Sequence, residues 1–366
     1  MGAVAMRVPF LDLRVPEEER SILLNAIEGV FRHGRFILGP EVAEFEAAVA
    51  KRCRRKFALG VGSGTDALFL ALKGLKIGPG DEVITTCLSW IATTNAIAMT
   101  GATPVFADIG DDLNLDPAQV EKLITPKTKA ILPVHFTGKM CDMAPLNLIA
   151  QKHRLFLIED AAQAFGAEHH GKPAGSFGAI ACFSMNPMKL LAGCGEAGMV
   201  LTDDPGIYER LIALRYNGTI NKEQCIETSL NGRLDTIQAA ILLCRLNTVD
   251  GMIAKRRQVA AFYNKRLSPY VRAPMEFPHQ KDIYYTYQIQ ADRRDALKAY
   301  LEERGVETKI QYSILMCRQS IYQKYMRQPV PNGDRLSQRT LCLPMHEKLS
   351  TDELEHVVES IQSFYS

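Results

Sequence analysis

Leu155-Phe156-Leu157-Ile158-Glu159-Asp160-Ala161-Ala162-Gln163 is the stretch on which the fold turns. Four apolar residues of strand length run into two carboxylates, and small residues follow. A strand that is apolar on both faces is covered from both sides, as in a parallel sheet held between helices. Working outward, Val83-Ile84-Thr85-Thr86, Pro104-Val105-Phe106-Ala107, Ala130-Ile131-Leu132-Pro133-Val134 and Met199-Val200-Leu201-Thr202 are runs of the same kind, bounded by Gly, Pro or Asp. Between such runs lie helical patterns: Val42, Phe45, Ala48 and Val49 after Glu41, then Leu68, Ala71, Leu72 and Leu75 after Asp66. The alternation predicts an α/β fold with a large, mostly parallel sheet. Ligands in such sheets sit just beyond the carboxyl ends of the strands.

Near Leu246 the texture changes, which divides the chain into a large domain over 1–245 and a small C-terminal α+β domain over 246–366. The second part holds a strand-like aromatic run, Tyr284 to Ile289, and a helix from Arg293 to Arg304 ended by Gly305. Its last helix, Thr351 to Phe364, opens with Ser350 and Glu353 in capping-box spacing. The length of 366 residues is about 2.4 nominal domains of ~150, in keeping with two unequal parts. Apolar residues at 47% and charged residues at 23% exclude an extended disordered or collagen-like chain. With 43 Lys and Arg against 41 Asp and Glu, the formal charge of +2 supplies no field that would favour nucleic acid or an anionic membrane.

No stretch approaches the ~20 apolar residues of a membrane span, so a soluble chain is expected. Met1-Gly2 has the look of a myristoylation start, but Met6 stands where Ser or Thr is wanted. The nine cysteines are scattered and form no C-x-x-C pair. Neither a disulfide nor a metal framework is expected, and a reducing cytoplasm fits best.

Four features fall where such a sheet would present them to a ligand. Gly62-Ser63-Gly64-Thr65-Asp66 precedes a helix, where free N–H groups and a hydroxyl suit a phosphate; a plain helix cap is the competing reading. Asp160 ends a buried strand, where a carboxylate is costly unless it meets a cation or caps the next helix, and Gln163 follows three residues on. Lys189, 29 residues after Asp160, sits among Met188, Leu190 and Leu191 after Cys182-Phe183-Ser184. Apolar surroundings would lower an ammonium's pKa, as a Schiff-base lysine requires, although a lysine so placed more often snorkels to the surface. Gly193-Cys194-Gly195-Glu196-Ala197-Gly198 satisfies G-x-G-x-x-G, yet it precedes a strand rather than a helix and is read as a turn. Trp90, the single tryptophan, follows a strand and offers either a stacking surface or core packing. The run Lys51-Arg52-Cys53-Arg54-Arg55-Lys56 is read as a solvated helix end.

In their order along the chain these elements resemble the DegT/DnrJ/EryC1/StrS family of nucleotide-sugar aminotransferases, which depend on pyridoxal 5′-phosphate (PLP). The resemblance runs from Val8-Pro9-Phe10-Leu11-Asp12-Leu13 and Gly34-Arg35-Phe36-Ile37-Leu38-Gly39-Pro40-Glu41-Val42 through Gly62–Leu68, Pro133-Val134-His135, Glu159–Gln163 and Phe183-Ser184 with Lys189. It ends with Asn231-Gly232-Arg233-Leu234-Asp235 and Leu343-Pro344-Met345-His346. It implies fold type I, the aspartate aminotransferase-like architecture, and a homodimer with shared active sites. It also implies Lys189 as the Schiff-base lysine, Asp160 beside the pyridine nitrogen, and Gln163 near the 3′-oxygen. Gly64, Thr65 and Ser184 would hold the phosphate, Trp90 would stack on the ring, and Asn231 would reach the neighbouring subunit's cofactor. The implied reaction takes an amine from L-glutamate, through the pyridoxamine 5′-phosphate form, to a 3-keto or 4-keto sugar on a nucleoside diphosphate. A non-nucleotide keto compound is the alternative acceptor, and a nicotinamide oxidoreductase a remote alternative. Where many relatives carry His-Tyr-Pro and a second His, this chain reads Ile310-Gln311-Tyr312-Ser313-Ile314-Leu315-Met316-Cys317-Arg318-Gln319.

Overall fold

The computed structural model describes residues 6–366, so the Met1-Gly2 start lies outside the described residues. Two amphipathic helices open the chain, α1 (Glu17–His33) and α2 (Pro40–Arg52). The central sheet is built from β1 (Phe57–Val61), β2 (Glu82–Thr86), β3 (Thr103–Ala107), β4 (Thr128–Leu132) and β5 (Phe156–Asp160). A side hairpin, β6 (Glu168–His169) and β7 (Lys172–Pro173), precedes its last two strands, β8 (Ile180–Ser184) and β9 (Gly198–Thr202). Across the sheet the order is β1-β9-β8-β5-β4-β2-β3. Strands β3, β2, β4, β5 and β8 run parallel, whereas β9 is antiparallel to both β8 and β1.

Burial explains why these strands read as continuous apolar runs. On β8, Ala181 and Phe183 enter the core under α2 and the helix Thr236–Leu246, while Ile180 and Cys182 enter the core under α3 (Gly64–Gly74) and the helix Pro205–Arg215. Ile131 and Leu157 join the first core; Ala130, Leu132 and Ile158 join the second. Each fully buried Leu, Ile or Phe stabilises the fold by roughly 1.5–3 kcal/mol. The expected mostly parallel sheet is borne out, with Met199–Thr202, read among the parallel runs, as its one antiparallel strand. After β8 the chain turns back through residues 185–197, which hold no helix to carry it across the sheet and restore the direction. Two strands of the central sheet lack a clear sequence signal: β1, which follows the basic run and contains Gly60, and β8, which leads into the lysine segment.

Beyond the exposed hairpin β10 (Thr219–Ile220) and β11 (Gln224–Cys225), the helix Val249–Leu267 serves two cores. Val249 and Ile253 pack in the large one; Val259, Ala260, Tyr263 and Leu267 pack in a C-terminal one. There β12 (Gln280–Lys281) joins the β6–β7 hairpin, and β13 (Tyr287–Gln290) pairs with β14 (Thr340–Leu343). The aromatic run is thus strand only from Tyr287. The helix Thr351–Tyr365 carries the expected capping box, and Gly305 takes φ +77° after the helix Arg294–Glu303. Val8 crosses to the C-terminal core, while Leu315, Met316 and Leu336 return to pack on Leu88 and Phe106 at the edge of the large sheet.

Candidate functional site

The carboxyl ends of β1, β2, β4, β5 and β8 open on one edge of the sheet, and the sequence-selected residues converge there. Asp160, the last residue of β5, is buried. Its Oδ2 accepts from Thr93 Oγ1 at 2.8 Å and its Oδ1 from Ala162 N at 3.2 Å. No helix follows, so Asp160 caps a turn rather than the expected helix. Among the described residues Asp160 has no salt-bridge partner, and burial raises its pKa against the opposing pull of Thr93, Ala162, Lys189 and His135. A carboxylate in that state lacks a cation.

The strands position Asp160 through a second buried network. His135 N donates to Asp160 O and Asp160 N to Pro133 O, both at 3.0 Å. The His135 ring accepts at Nδ1 from Cys141 N, which places its proton on Nε2, 3.1 Å from Glu159 Oε2. Glu159 also accepts from Gly175 N and Phe177 N. Arg55 stands 3.7 Å from it and donates to Gly175 O, Phe177 O, Gly178 O and Asp203. The expectation that Lys51 to Lys56 forms a solvated helix end therefore fails at Arg55, whose side chain is 4% exposed. The carboxylate of Glu159 and the loop carbonyls after β7 draw it inward.

Lys189 lies on the turn after β8, half-buried, with its N–H bonded to Asn186 O. Its Nζ is 4.5 Å from the centre of the Tyr285 ring and 3.4 Å from Tyr285 Oη. Gln163 is buried; its Oε1 accepts from Thr137 N at 2.9 Å, and its amide nitrogen makes no hydrogen bond to the described residues. Trp90 is 58% exposed, which rules out core packing, and its ring stands 5.6 Å from that of Tyr312.

At the end of β1, Ser63 caps α3 by accepting from Asp66 N. That leaves the N–H groups of Gly64 and Thr65 without intrahelical acceptors. Gly64 packs so closely that a Cβ there would lie 2.6 Å from Ser184 Cβ, and a Cβ on Gly198 would lie 2.3 Å from Ser63 O. The cap reading and the anion-site reading are thus compatible: one side chain caps the helix while its free backbone donors face the Ser184 end of β8. The G-x-G-x-x-G run forms the turn between β8 and β9, with Gly193 N bonded to Met185 O and the strand starting at Gly198. No strand leads directly into Gly193, and a strand rather than a helix follows Gly198, so the nicotinamide alternative is overturned.

Asn231 is the one candidate not gathered in. It is exposed, holding the Arg233 guanidinium at 2.6 Å, on a segment that pairs with Val61 and Gly62 beside the Gly64 turn. The same segment bonds the Phe36–Gly39 stretch through Thr236, and Leu343–His346 meets Val8–Leu13 through His346 and Pro9. Beside Lys189 a cleft of roughly 640 Å³ is lined by Asp12, Arg14, Arg245, Lys255, Arg256 and Lys348, among others. Arg14 pairs with Asp12, Arg245 with Glu19 and Arg256 with Glu347, whereas Lys255 has no ion pair among the described residues. Three side chains at the site carry no assigned role in the sequence: Thr93, Tyr285, which lies in the strand-like aromatic run, and Tyr312, in the stretch that departs from the relatives' histidine pattern. The aromatic run around Tyr285 was the only sequence signal for any of them.

A model of the DegT/DnrJ/EryC1/StrS aminotransferase family matches residues 17–362. A "pleiotropic regulatory protein" of Geobacillus stearothermophilus is 39% identical over 98% of this chain and 99% of its own length. The dTDP-3-amino-3,4,6-trideoxy-alpha-D-glucose transaminase of Streptomyces venezuelae is 39% identical over 98% of this chain and 96% of its own. The crystal structure of S. venezuelae DesV in complex with a ketimine intermediate is 38% identical and superposes with a TM-score of 0.95, covering 98% of this chain and 99% of that one.

Proposed function

Because this chain belongs to the DegT/DnrJ/EryC1/StrS aminotransferase family and is a PLP-dependent sugar aminotransferase of fold type I, we propose that it transfers an amine from L-glutamate to the C3 carbonyl of a keto sugar carried on a nucleoside diphosphate. The observation that carries the reading is Asp160, a buried carboxylate with no cation of its own, beside a lysine on the next strand's turn. PLP, once bound, supplies an electron sink that makes a C–H bond beside an amine acidic. The residues fit that group. Asp160 supplies the counter-charge for a protonated pyridine nitrogen, and the Thr93 hydroxyl keeps that carboxylate oriented. The unpaired amide nitrogen of Gln163 would be available to the 3′-oxygen, and the N–H groups of Gly64 and Thr65 with the Ser184 hydroxyl would hold the phosphate. The exposed Trp90 would cover one face of the ring. Lys189 would hold the cofactor through its amine, and the same amine would serve as the base that moves the substrate's proton. Tyr285, which faces Nζ, orients that amine.

Position C3 is favoured by the 3-amino sugar in the name of the S. venezuelae relative. The basic residues of the cleft beside Lys189 suit a diphosphate, which an overall charge of +2 would not attract from a distance. The working unit in this reading is a cytoplasmic homodimer, in which Asn231 reaches the partner's phosphate. Exposed Phe36, Ile37, Trp90, Met188 and Ile226 support a covering surface. Residues 1–245 and 246–366 are its two domains, with the helix Val249–Leu267 as the joint. The regulatory name of one relative does not argue for a catalytically silent chain here, because Lys189 and Asp160 are both present.

The test is to load the protein with pyridoxamine 5′-phosphate and follow the return of PLP absorbance across a panel of 3-keto and 4-keto nucleotide sugars. Conversion is expected with a 3-keto member and none in Lys189→Ala. A wild type that converts no member of the panel, or a Lys189→Ala variant that turns over at the wild-type rate, sinks the assignment.

A further inference from the structure

We propose that His169, His170, His279 and Asp142 form a binding site for a divalent transition-metal ion of the zinc class, which staples the β6–β7 hairpin to the strap leading into β12. The site lies outside the machinery described above. The ligand nitrogens of the three histidines all fall within 4.8 Å of one another. Secondary structure brings them together. His169 is in cross-strand register with Gln280, the residue after His279. His170, at φ +50°, forms the hairpin turn with Gly171, at φ +70°, and its N–H donates to His279 O at 2.7 Å. The rings of His170 and His279 are parallel, with centroids 4.4 Å apart, and both stand nearly perpendicular to His169.

Two further observations point to a ligand. His169 is 2% exposed, and its Nε2 is buried without a hydrogen-bond partner. Such an atom is costly to leave unsatisfied. That nitrogen lies 3.7 Å from Asp142 Oδ1, too far for a hydrogen bond. Two ligands each ~2.0–2.2 Å from a tetrahedral ion stand roughly 3.4 Å apart, so the pair is near the spacing that one shared ion demands. Asp142, 58% exposed at the start of the helix Met143–His153, leaves the site open to entry from solvent. The nearest ammonium groups are turned elsewhere: Lys281 pairs with Glu168, and Lys172 sits over the Phe177 ring. Three imidazoles and one carboxylate suit zinc, cobalt, nickel or copper and disfavour magnesium or calcium.

The experiment titrates the PLP-loaded protein with Zn2+ and separately with Co2+, in a buffer that does not chelate. Expected are one Zn2+ per chain at this site and a raised Tm. Affinity should fall at least about tenfold in His279→Ala and in His170→Ala, and less in Asp142→Asn, which retains the helix cap. Co2+ should give visible ligand-field bands without thiolate charge transfer, which separates the site from the exposed Cys194 and Cys225. Circular dichroism and PLP content matching the wild type show that both histidine variants are folded. Equal Zn2+ affinity and stoichiometry in the wild type and the two variants, or a thiolate band with Co2+, would overturn the proposal.

Discussion

At the residue scale the molecule is shaped by charges taken out of water. Asp160 is the functional case: Thr93 supplies one charge-assisted hydrogen bond that favours its ionised form. Thr93→Val keeps the shape and removes that bond, and the expected consequence is PLP retention weaker by about tenfold, read from cofactor dissociation by absorbance. Asp282 is the structural case. Burial pushes its carboxyl up to about 6, even with Lys139 Nζ at 3.0 Å. The folded pKa lies above the unfolded one, so the folded chain holds the proton more tightly, and stability declines as pH rises from 3.8 to about 6. The decline is on the order of 3 kcal/mol. Urea unfolding across that window should show the slope in the wild type and a flatter one in Asp282→Asn; an unchanged slope would assign it to other groups. Asp160 and Lys189 were legible as residues because a strand-end acid and an apolar-flanked lysine are locally odd. Thr93 and Tyr285 were not, because nothing in their own neighbourhoods announces a partner 67 or 96 residues away.

At the element scale the close approach of β1, β9 and the start of α3 defines the anion site. Gly198→Ala would drive a Cβ to within 2.3 Å of Ser63 O and displace the first turn of α3. We expect PLP to be lost at a concentration that saturates the wild type, with the far-ultraviolet spectrum intact; normal retention would mean that the helix start contributes little. Arg55 ties β1 to the loop after β7 and to Glu159. Arg55→Ala should therefore cost about 3–5 kcal/mol in chemical denaturation, since it leaves Glu159 buried with less compensation. The strands β2 to β5 were legible because burial on both faces writes an unbroken apolar run into each. The antiparallel course of β9 was not, because direction depends on the connection and an apolar run has none.

At the scale of the whole molecule, the proposed shared site makes a test that no single chain can mimic. Mixing the Lys189→Ala and Asn231→Ala proteins after dissociation creates hybrid dimers with one site containing both wild-type residues. Activity should recover to about a quarter of wild type, because half of the dimers are hybrids with one intact site each. No recovery would place Asn231 outside the partner's site. By itself the sequence determined the α/β class, the runs that become β2 to β5 and β9, the helix cap at Ser350, and the identity of the strand-end acid and the lysine. These follow from local periodicity and from residue chemistry, which neighbours a few positions away decide. Only the tertiary structure decided which segments meet: Asp160 with Thr93, Lys189 with Tyr285, Arg55 with Glu159, and Val8–Leu13 with the distant His346. Those contacts arise from the lateral order of the strands across the sheet and from the return of the C-terminal segments to its edge. Both are set by the burial of surfaces far apart in sequence, and no local pattern encodes them.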